Sequence, residues 1–118
     1  MKEVFSTIKD GEKEYAIVFN LNVMEAIQAE YETLEAWGAM TDGKAKDGDE
    51  VDVKALIFGM REMINEGIEI NNEKTGVNEP LLTHKQVGRI LSRCGIESVT
   101  DSINEVVIAS SGSDEKNV

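Results

Sequence analysis

The chain has 118 residues, a formal net charge of −11 and one cysteine, so it is expected to form a single core without an intrachain disulfide. Carboxylates outnumber Lys and Arg by 23 to 12, and such a surface repels nucleic-acid phosphates and anionic lipid, so neither partner is predicted. No stretch approaches the roughly 18 apolar residues of a membrane helix, and the N-terminus lacks the apolar run of a signal peptide, so we expect a soluble, cytoplasmic protein.

The N-terminal residues alternate in the manner of β-strands. Two β-rich runs, about 3–8 and 14–20, flank the turn signal Asp10-Gly11, which favours an antiparallel hairpin. A hairpin alone is marginal in water, so one face should lie on a helical layer. The residues expected to share faces are Val4 and Ile8 in the first strand, and Tyr15, Ile17 and Phe19 in the second.

Helical periodicity follows in two segments. The first, "NVMEAIQAEYETLEAWG", is expected to begin at Asn22, with Glu25 completing a capping box, and to end at Gly38. A polar segment, 39–52, is predicted to be a loop. The second helix, "VDVKALIFGMREMINEG", carries an apolar stripe typical of a core face, made of Val53, Leu56, Ile57, Met60, Met63 and Ile64.

Two further helices complete the predicted fold. Thr83 and Gln86 form a Thr-x-x-Gln capping box that starts the third helix. The fourth is expected to begin at Thr100 or Asp101, and the polar residues 110–118 to be a disordered tail. The fold class is therefore α+β: residues 1–109 form one domain, with the hairpin packed on about four helices.

A repeated pattern suggests where three helices end. Gly38, Gly67 and Gly95 are each followed by an apolar residue. In a Schellman ending the glycine adopts a left-handed conformation, and the next residue packs back on the helix. We therefore predict helix ends at these three glycines.

Catalytic motifs are absent from the sequence. His84 and Cys94 are the only histidine and the only cysteine, and on one helix they would lie about 15 Å apart, too far for a nucleophile and its base. Segment 42–52 fits no EF-hand register, one His and one Cys are too few for zinc, and no phosphate-binding glycine loop occurs. We predict no enzymatic activity, no cofactor and no metal. A pair of carboxylates acting as a small active site remains an alternative.

The order of elements resembles a known family. The strand and helix of "EKEYAIVFNLNVMEAIQAEYETLEAW", the acidic loop, the helix "VDVKALIFGMREMINEG" and the "LT...VG.ll" pattern in "LLTHKQVGRIL" together resemble the tail assembly chaperones of long-tailed bacteriophages and prophages, especially those of Gram-positive hosts. The similarity covers about residues 4–108. The similarity rests on the hydrophobic pattern, on length and on a few residues that match the family pattern.

The resemblance implies a protein-binding role in the host cytoplasm, outside the mature virion. Such chaperones coat the aggregation-prone tape-measure protein and help bring tail-tube subunits to it, so these two proteins are the expected partners; the oligomeric state, including a homo-oligomer, is left open. An apolar groove on a soluble exterior would suit this role. The candidate partner-binding residues are Trp37, Met40, Met60, Met63 and Ile70.

A second hypothesis is an acidic phage-encoded inhibitor that mimics DNA and binds a nucleic-acid enzyme of the host, or another small protein-binding module. Such a mimic needs carboxylates regularly spaced along one face, whereas the acidic residues here are spread over helices, loops and hairpin. Binding that is lost at high salt would favour it.

Overall fold

A computed structural model describes the chain over residues 5–41 and 52–116; of residue 5 and residues 108–116 it describes the backbone only. The described elements are two strands and five helices: β1 (Phe5–Asp10), β2 (Lys13–Val18), α1 (Leu21–Tyr31), α2 (Leu34–Thr41), α3 (Val53–Thr75), α4 (His84–Cys94) and α5 (Ile96–Lys116). The predicted α+β class is confirmed, with the hairpin at the N-terminus and five described helices where about four were expected. The predictions for Val4 and for most of the 39–52 loop fall outside the described residues.

The hairpin forms the predicted antiparallel pair with slightly shifted ends. Ile8 pairs with Tyr15 and Ser6 with Ile17, so Ile8, Tyr15 and Ile17 lie on one face, as directly opposed residues must. Val18 lies on the other face and is also buried. A two-residue turn joins the strands, and its first residue, Gly11, has φ 65°. A positive φ at this position is typical of a type II′ turn, which matches the twist of the flanking strands.

The predicted first helix is two helices separated by a sharp turn. Glu32 has φ 72° and ψ −47°, and the Thr33 N–H donates to Tyr31 O at 2.8 Å, which is the pattern of a classic γ-turn. The Thr33 hydroxyl then accepts from the Ala36 N–H and starts α2. Gly38 lies inside α2, so the prediction that it ends a helix is wrong.

The N-cap of α1 is Asn20, so the prediction of Asn22 is also wrong. The Asn20 side chain accepts from the Val23 N–H at 3.1 Å, which satisfies one of the free donors at the helix start. Asn22 is already helical, and both asparagines donate their Nδ2 hydrogens to Glu66 on α3. The two side chains therefore fasten the start of α1 to α3.

α3 is longer than predicted because Gly67 does not end it. The helix continues to Thr75 and is closed by Gly76, which has φ 79°. A Cβ placed at Gly67 would lie 3.0 Å from the Ala16 carbonyl oxygen of β2. The glycine thus allows a close approach between the helix and the hairpin, and this tertiary role is invisible in the local sequence.

Two asparagines of α3 hold the chain that leads to α4. The Asn72 side chain accepts from the Glu79 N–H and donates to the Glu79 carbonyl, at 3.1 and 3.0 Å. Asn65, seven residues earlier and therefore on the same face, makes the same pair of bonds with Leu82 at 2.9 and 3.0 Å. These paired bonds, which we call the asparagine clamps, hold the connecting chain against α3.

The start of α4 is as predicted. Thr83 accepts from the Gln86 N–H, and the Gln86 side chain accepts from the Thr83 N–H, so both bonds of the capping box are present. His84 is the first helical residue. α4 ends at Gly95, so of the three predicted glycine ends only the position of this one is confirmed. Its φ of 91° and ψ of 138° are not those of a Schellman ending, and Ile96 is exposed instead of packing back on the helix.

α5 differs from its prediction at both ends. It starts at Ile96 rather than at Thr100 or Asp101, immediately after Gly95. It continues to Lys116, so the segment predicted to be a disordered tail is helical as far as that residue. Extending an existing helix adds one hydrogen bond per residue without a new nucleation step, which allows a polar sequence to continue it.

One buried cluster joins the hairpin and all five helices within the described residues. It includes Ile8 and Ile17 from the hairpin and apolar side chains of every helix. Between α2 and α3, the Asp52 N–H donates to Met40 O at 2.8 Å, which brings the two helices together where the undescribed segment 42–51 departs. The N-terminal end of α3 is thereby held beside the end of α2.

Candidate protein-binding cleft

Three of the predicted partner-binding residues are in the core. Trp37 is 3% exposed, its indole Nε1–H donates to Ala55 O at 2.9 Å, and its ring covers Gly59. Met60 and Met63 are fully buried. These three side chains are therefore not on the surface of the fold, because the apolar stripe of α3 on which the methionines lie is covered by other elements.

The other two predicted residues do not form one surface. Met40 is 38% exposed at the end of α2, beside Asp52. Ile70 is half-buried and lies 18 residues after Asp52, or about 27 Å along α3 at 1.5 Å per residue. Only Met40 is near the apolar opening described next.

An open cleft lies between the first turns of α3 and the facing side of α4, and it extends to the start of α5. Its volume is about 290 Å³, at the small end for ligand sites and suited to a few side chains rather than a cofactor. Val53 and Ile96, at 52% and 48% exposure, are large apolar residues left open to solvent. We call this the α3–α4 cleft, and it is lined by Val53, Leu56, Ile57, Gly88, Leu91, Ser92, Gly95 and Ile96.

Gly88 sets the depth of the α3–α4 cleft. It lies in the middle of α4, where glycine costs about 1 kcal/mol relative to alanine. A Cβ at this position would lie 3.4 Å from Ile57 Cδ1 and would meet no other atom within 4 Å. An alanine would therefore fit with little strain, and it would fill part of the open space.

The sequence alone does not reveal the α3–α4 cleft, because the residues that line it look like core residues. Val53 and Ile57 belong to the apolar stripe of the second predicted helix, and periodicity alone does not tell which part of a stripe will be covered. Gly88 is the available signal, since a glycine inside an amphipathic helix costs about 1 kcal/mol relative to alanine. It is also the glycine of the "LT...VG.ll" pattern.

Charges are unevenly distributed around the cleft. α4 contains Lys85, Arg89 and Arg93 and no Asp or Glu, whereas residues 20–41 contain four glutamates and no Lys or Arg. Lys85 and Arg89 are exposed, and among the described residues neither forms an ion pair. Each precedes a cleft residue of α4 by three positions, so they lie beside the cleft on the helix surface.

Arg93 is already paired. Its Nε and Nη2 each donate to a carboxylate oxygen of Asp10 at 2.7 Å, a two-bond geometry that strengthens the pair. The guanidinium holds the pKa of Asp10 below its usual range, mainly through these hydrogen bonds. This pair ties the hairpin turn to the end of α4.

His84 and Cys94 do not form a catalytic pair. They occupy the first and last positions of α4. The Cys94 Sγ–H donates to Lys9 O at 3.1 Å, and partial burial, with a smaller contribution from Asp10, raises the pKa of the thiol. A raised pKa disfavours the reactive thiolate at neutral pH.

A second, polar groove lies between α1 and α3. The groove is lined by Asn22, Val23 and Asn65 and by four glutamates: Glu25, Glu62, Glu66 and Glu69. On α3, Glu62, Glu66, Glu69 and Glu73 follow helical spacing and so share one face. Over residues 5–41 and 52–116, no group of three or more His, Cys, Asp or Glu is placed to hold a metal ion.

No described helix is both long enough and apolar enough to cross a membrane. Comparison of the chain with known proteins finds no matching family model, no matching curated protein and no matching solved structure.

Proposed function

We propose that this protein is a phage tail assembly chaperone, which binds the tape-measure protein through the α3–α4 cleft and assists tail-tube assembly without catalysing a reaction. The observation that carries the proposal is the cleft itself, where large apolar side chains are left half exposed beside a glycine that keeps the space open. The order of elements that resembles the tail assembly chaperones includes this same glycine.

The physical logic is that of a helix held in a groove. A tape-measure protein is long and largely helical, and it exposes apolar stripes until it is assembled. A cleft of about 290 Å³ can take the apolar side chains of about one helical turn. The net charge of −11 keeps the complex soluble while the stripe is covered. Binding then takes place in the host cytoplasm, before the tail is complete.

The test uses two glycine-to-alanine variants that are matched in their local effect. Both glycines lie inside helices, and a Cβ at Gly38 in α2 would meet no atom within 4 Å. Each substitution should stabilise the chain by about 0.5–1 kcal/mol through helix propensity. Only Gly88→Ala reduces the cleft, so it should weaken binding to the tape-measure protein of the same phage or prophage by about five- to tenfold.

The measurements are co-expression, co-purification and affinity by calorimetry, together with urea unfolding. The expected result is that Gly88→Ala gains stability and loses binding, while Gly38→Ala gains stability and keeps binding. If the wild-type chain neither co-purifies with the tape-measure protein nor improves its solubility, the proposed function is wrong. If both variants bind the tape-measure protein equally well, the α3–α4 cleft is not its binding site.

A second candidate function is supported by the acidic face of α3. Glu62 and Glu73, the first and last of four glutamates on this face with Glu66 and Glu69, are 11 positions apart, or about 16 Å, and this regular spacing is what a DNA mimic needs. However, Glu66 accepts from two asparagines and Glu62 pairs with Arg61, so half of this face is already engaged. Salt-sensitive binding to a host nucleic-acid enzyme, lost in Glu69→Gln/Glu73→Gln, would support this function over the chaperone.

A further inference from the structure

Resting on the proposed function, we infer that the segment held by the α3–α4 cleft is an amphipathic helix whose apolar stripe is bordered by carboxylates, which pair with Lys85 and Arg89. The inference opposes the expectation from net charge, since a chain at −11 would be expected to bind basic partners. The inference rests on the charges of the residues around the cleft and not on the net charge of the whole chain.

The first observation is that the positive charges border the apolar lining. Lys85 is three residues before Gly88, and Arg89 is three before Ser92; both later residues line the cleft. Residues three apart are neighbours on a helix surface. A helix placed in the cleft would therefore bring the residues beside its apolar stripe close to Lys85 and Arg89.

The second observation is that, among the described residues, the carboxylates nearest in sequence to the lining are fewer than the cations, and one of them already accepts a hydrogen bond. Asp52 caps α3 by accepting from the Ala55 N–H at 3.1 Å. Glu97, in the first turn of α5, is the other. Three cations lie as near to the lining: Lys85, Arg89 and Lys54, which is exposed and three residues before Ile57. None of the three has an ion-pair partner among the described residues.

The third observation is that the negative charges are concentrated on other elements. The helices α1 and α2 carry only acidic charges, and four glutamates share one face of α3. Such segregation orients a charged partner as it approaches, because opposite charges attract at one face and like charges repel at the other. A carboxylate-bordered helix is thereby favoured at α4 and disfavoured elsewhere.

The test uses two fluorescein-labelled peptides of about 18 residues, long enough for helix formation on a surface. Both carry the same leucine stripe; one has glutamate on each side of it and the other has lysine. In fluorescence anisotropy at low salt, the glutamate peptide should bind about tenfold tighter than the lysine peptide. The difference should shrink at about 0.5 M NaCl, because salt screens exposed charges.

Charge reversal supplies a matched pair of variants. Arg89→Glu changes the charge beside the cleft and should weaken the glutamate peptide about fivefold or more. Lys74→Glu makes the same change in net charge at the far end of α3, 21 residues after Val53, or about 30 Å away. It should leave binding unchanged.

The outcomes separate this inference from the proposed function. If Gly88→Ala weakens tape-measure binding but the lysine peptide binds tighter, or Arg89→Glu has no effect, the inference is wrong and the chaperone function stands. If neither Gly88→Ala nor Arg89→Glu changes tape-measure binding, the cleft is not the site. If neither peptide binds and Gly88→Ala abolishes self-association of the chain, the occupant is a second copy and the inference is overturned.

Discussion

At the scale of single residues, two glycines inside helices have opposite roles. Gly59 lies under the ring of Trp37, and a Cβ there would clash with the indole Cζ2. We predict that Gly59→Ala destabilises the fold by about 3 kcal/mol, because the clash outweighs the gain in helix propensity. Urea unfolding followed by the fluorescence of Trp37, the only tryptophan, measures this.

The contrasting variant is Gly88→Ala, whose added carbon meets only the end of Ile57. Its free energy of unfolding should rise while that of Gly59→Ala falls, although both replace a glycine within a helix. Similar effects from the two substitutions would mean that Trp37 can move aside, and that the close packing of α2 on α3 is not specific.

The Asp10–Arg93 pair predicts a dependence on pH. Because the pKa of Asp10 is lowered in the folded chain, its stabilising contribution is complete above the unfolded value of about 3.9 and is lost as the pH falls through the lower folded value. Asp10→Asn should therefore be less stable than the wild type at pH 7, and the difference between the two should shrink as the pH is lowered toward about 2. Urea midpoints measured between these limits test the prediction, and a constant difference would contradict it.

At the scale of elements, the asparagine clamps determine where α4 lies. Asn65 pairs with both backbone groups of the half-buried Leu82, one residue before the N-cap Thr83. Asn65→Ala leaves these groups without protein partners and should cost about 1–3 kcal/mol. Asn72→Ala should cost less, because its bonds to Glu79 are exposed to water.

Two measurements check the clamp prediction. Urea unfolding gives the two costs, and hydrogen exchange of the Leu82 amide should be faster in Asn65→Ala but not in Asn72→Ala. If both variants lose the same stability, the connecting chain is held by its apolar contacts rather than by the clamps.

The elements also show where sequence reasoning succeeds. The capping box at Thr83 and the turn at Gly11 were predictable because each depends on residues within a few positions of one another. The turn at Glu32 was not, because a positive φ at glutamate is intrinsically unfavourable and persists only when the surrounding structure imposes it. The extension of α3 past Gly67 likewise depends on the hairpin that packs there.

At the scale of the whole molecule, the site was less predictable than the fold. Hydrophobic periodicity marks Val53 and Ile57 as apolar positions of a helix, and it does so equally for Met60 and Met63, which are buried. Which of them stays open depends on how α4 and α5 meet α3, and this arrangement is set by contacts between residues distant in sequence.

The excess of negative charge predicts an effect of salt on the entire fold. Repulsion among the carboxylates of a chain at −11 opposes compactness, and salt screens it. Raising NaCl from about 20 to about 500 mM should therefore increase the melting temperature by about 3–5 °C. A melting temperature that falls instead would show that attraction between the acidic and basic faces is the larger effect.

The hydrogen bond from Asp52 to Met40 also has a practical consequence. It holds both ends of the chain between these residues in place, and Val53 at the rim of the α3–α4 cleft is the next residue. Lengthening a segment whose ends are already joined costs little, about 0.6 kcal/mol for each doubling. A short tag carrying an environment-sensitive dye, inserted between Met40 and Asp52, would therefore act as an optical sensor of partner capture without altering any residue that lines the cleft.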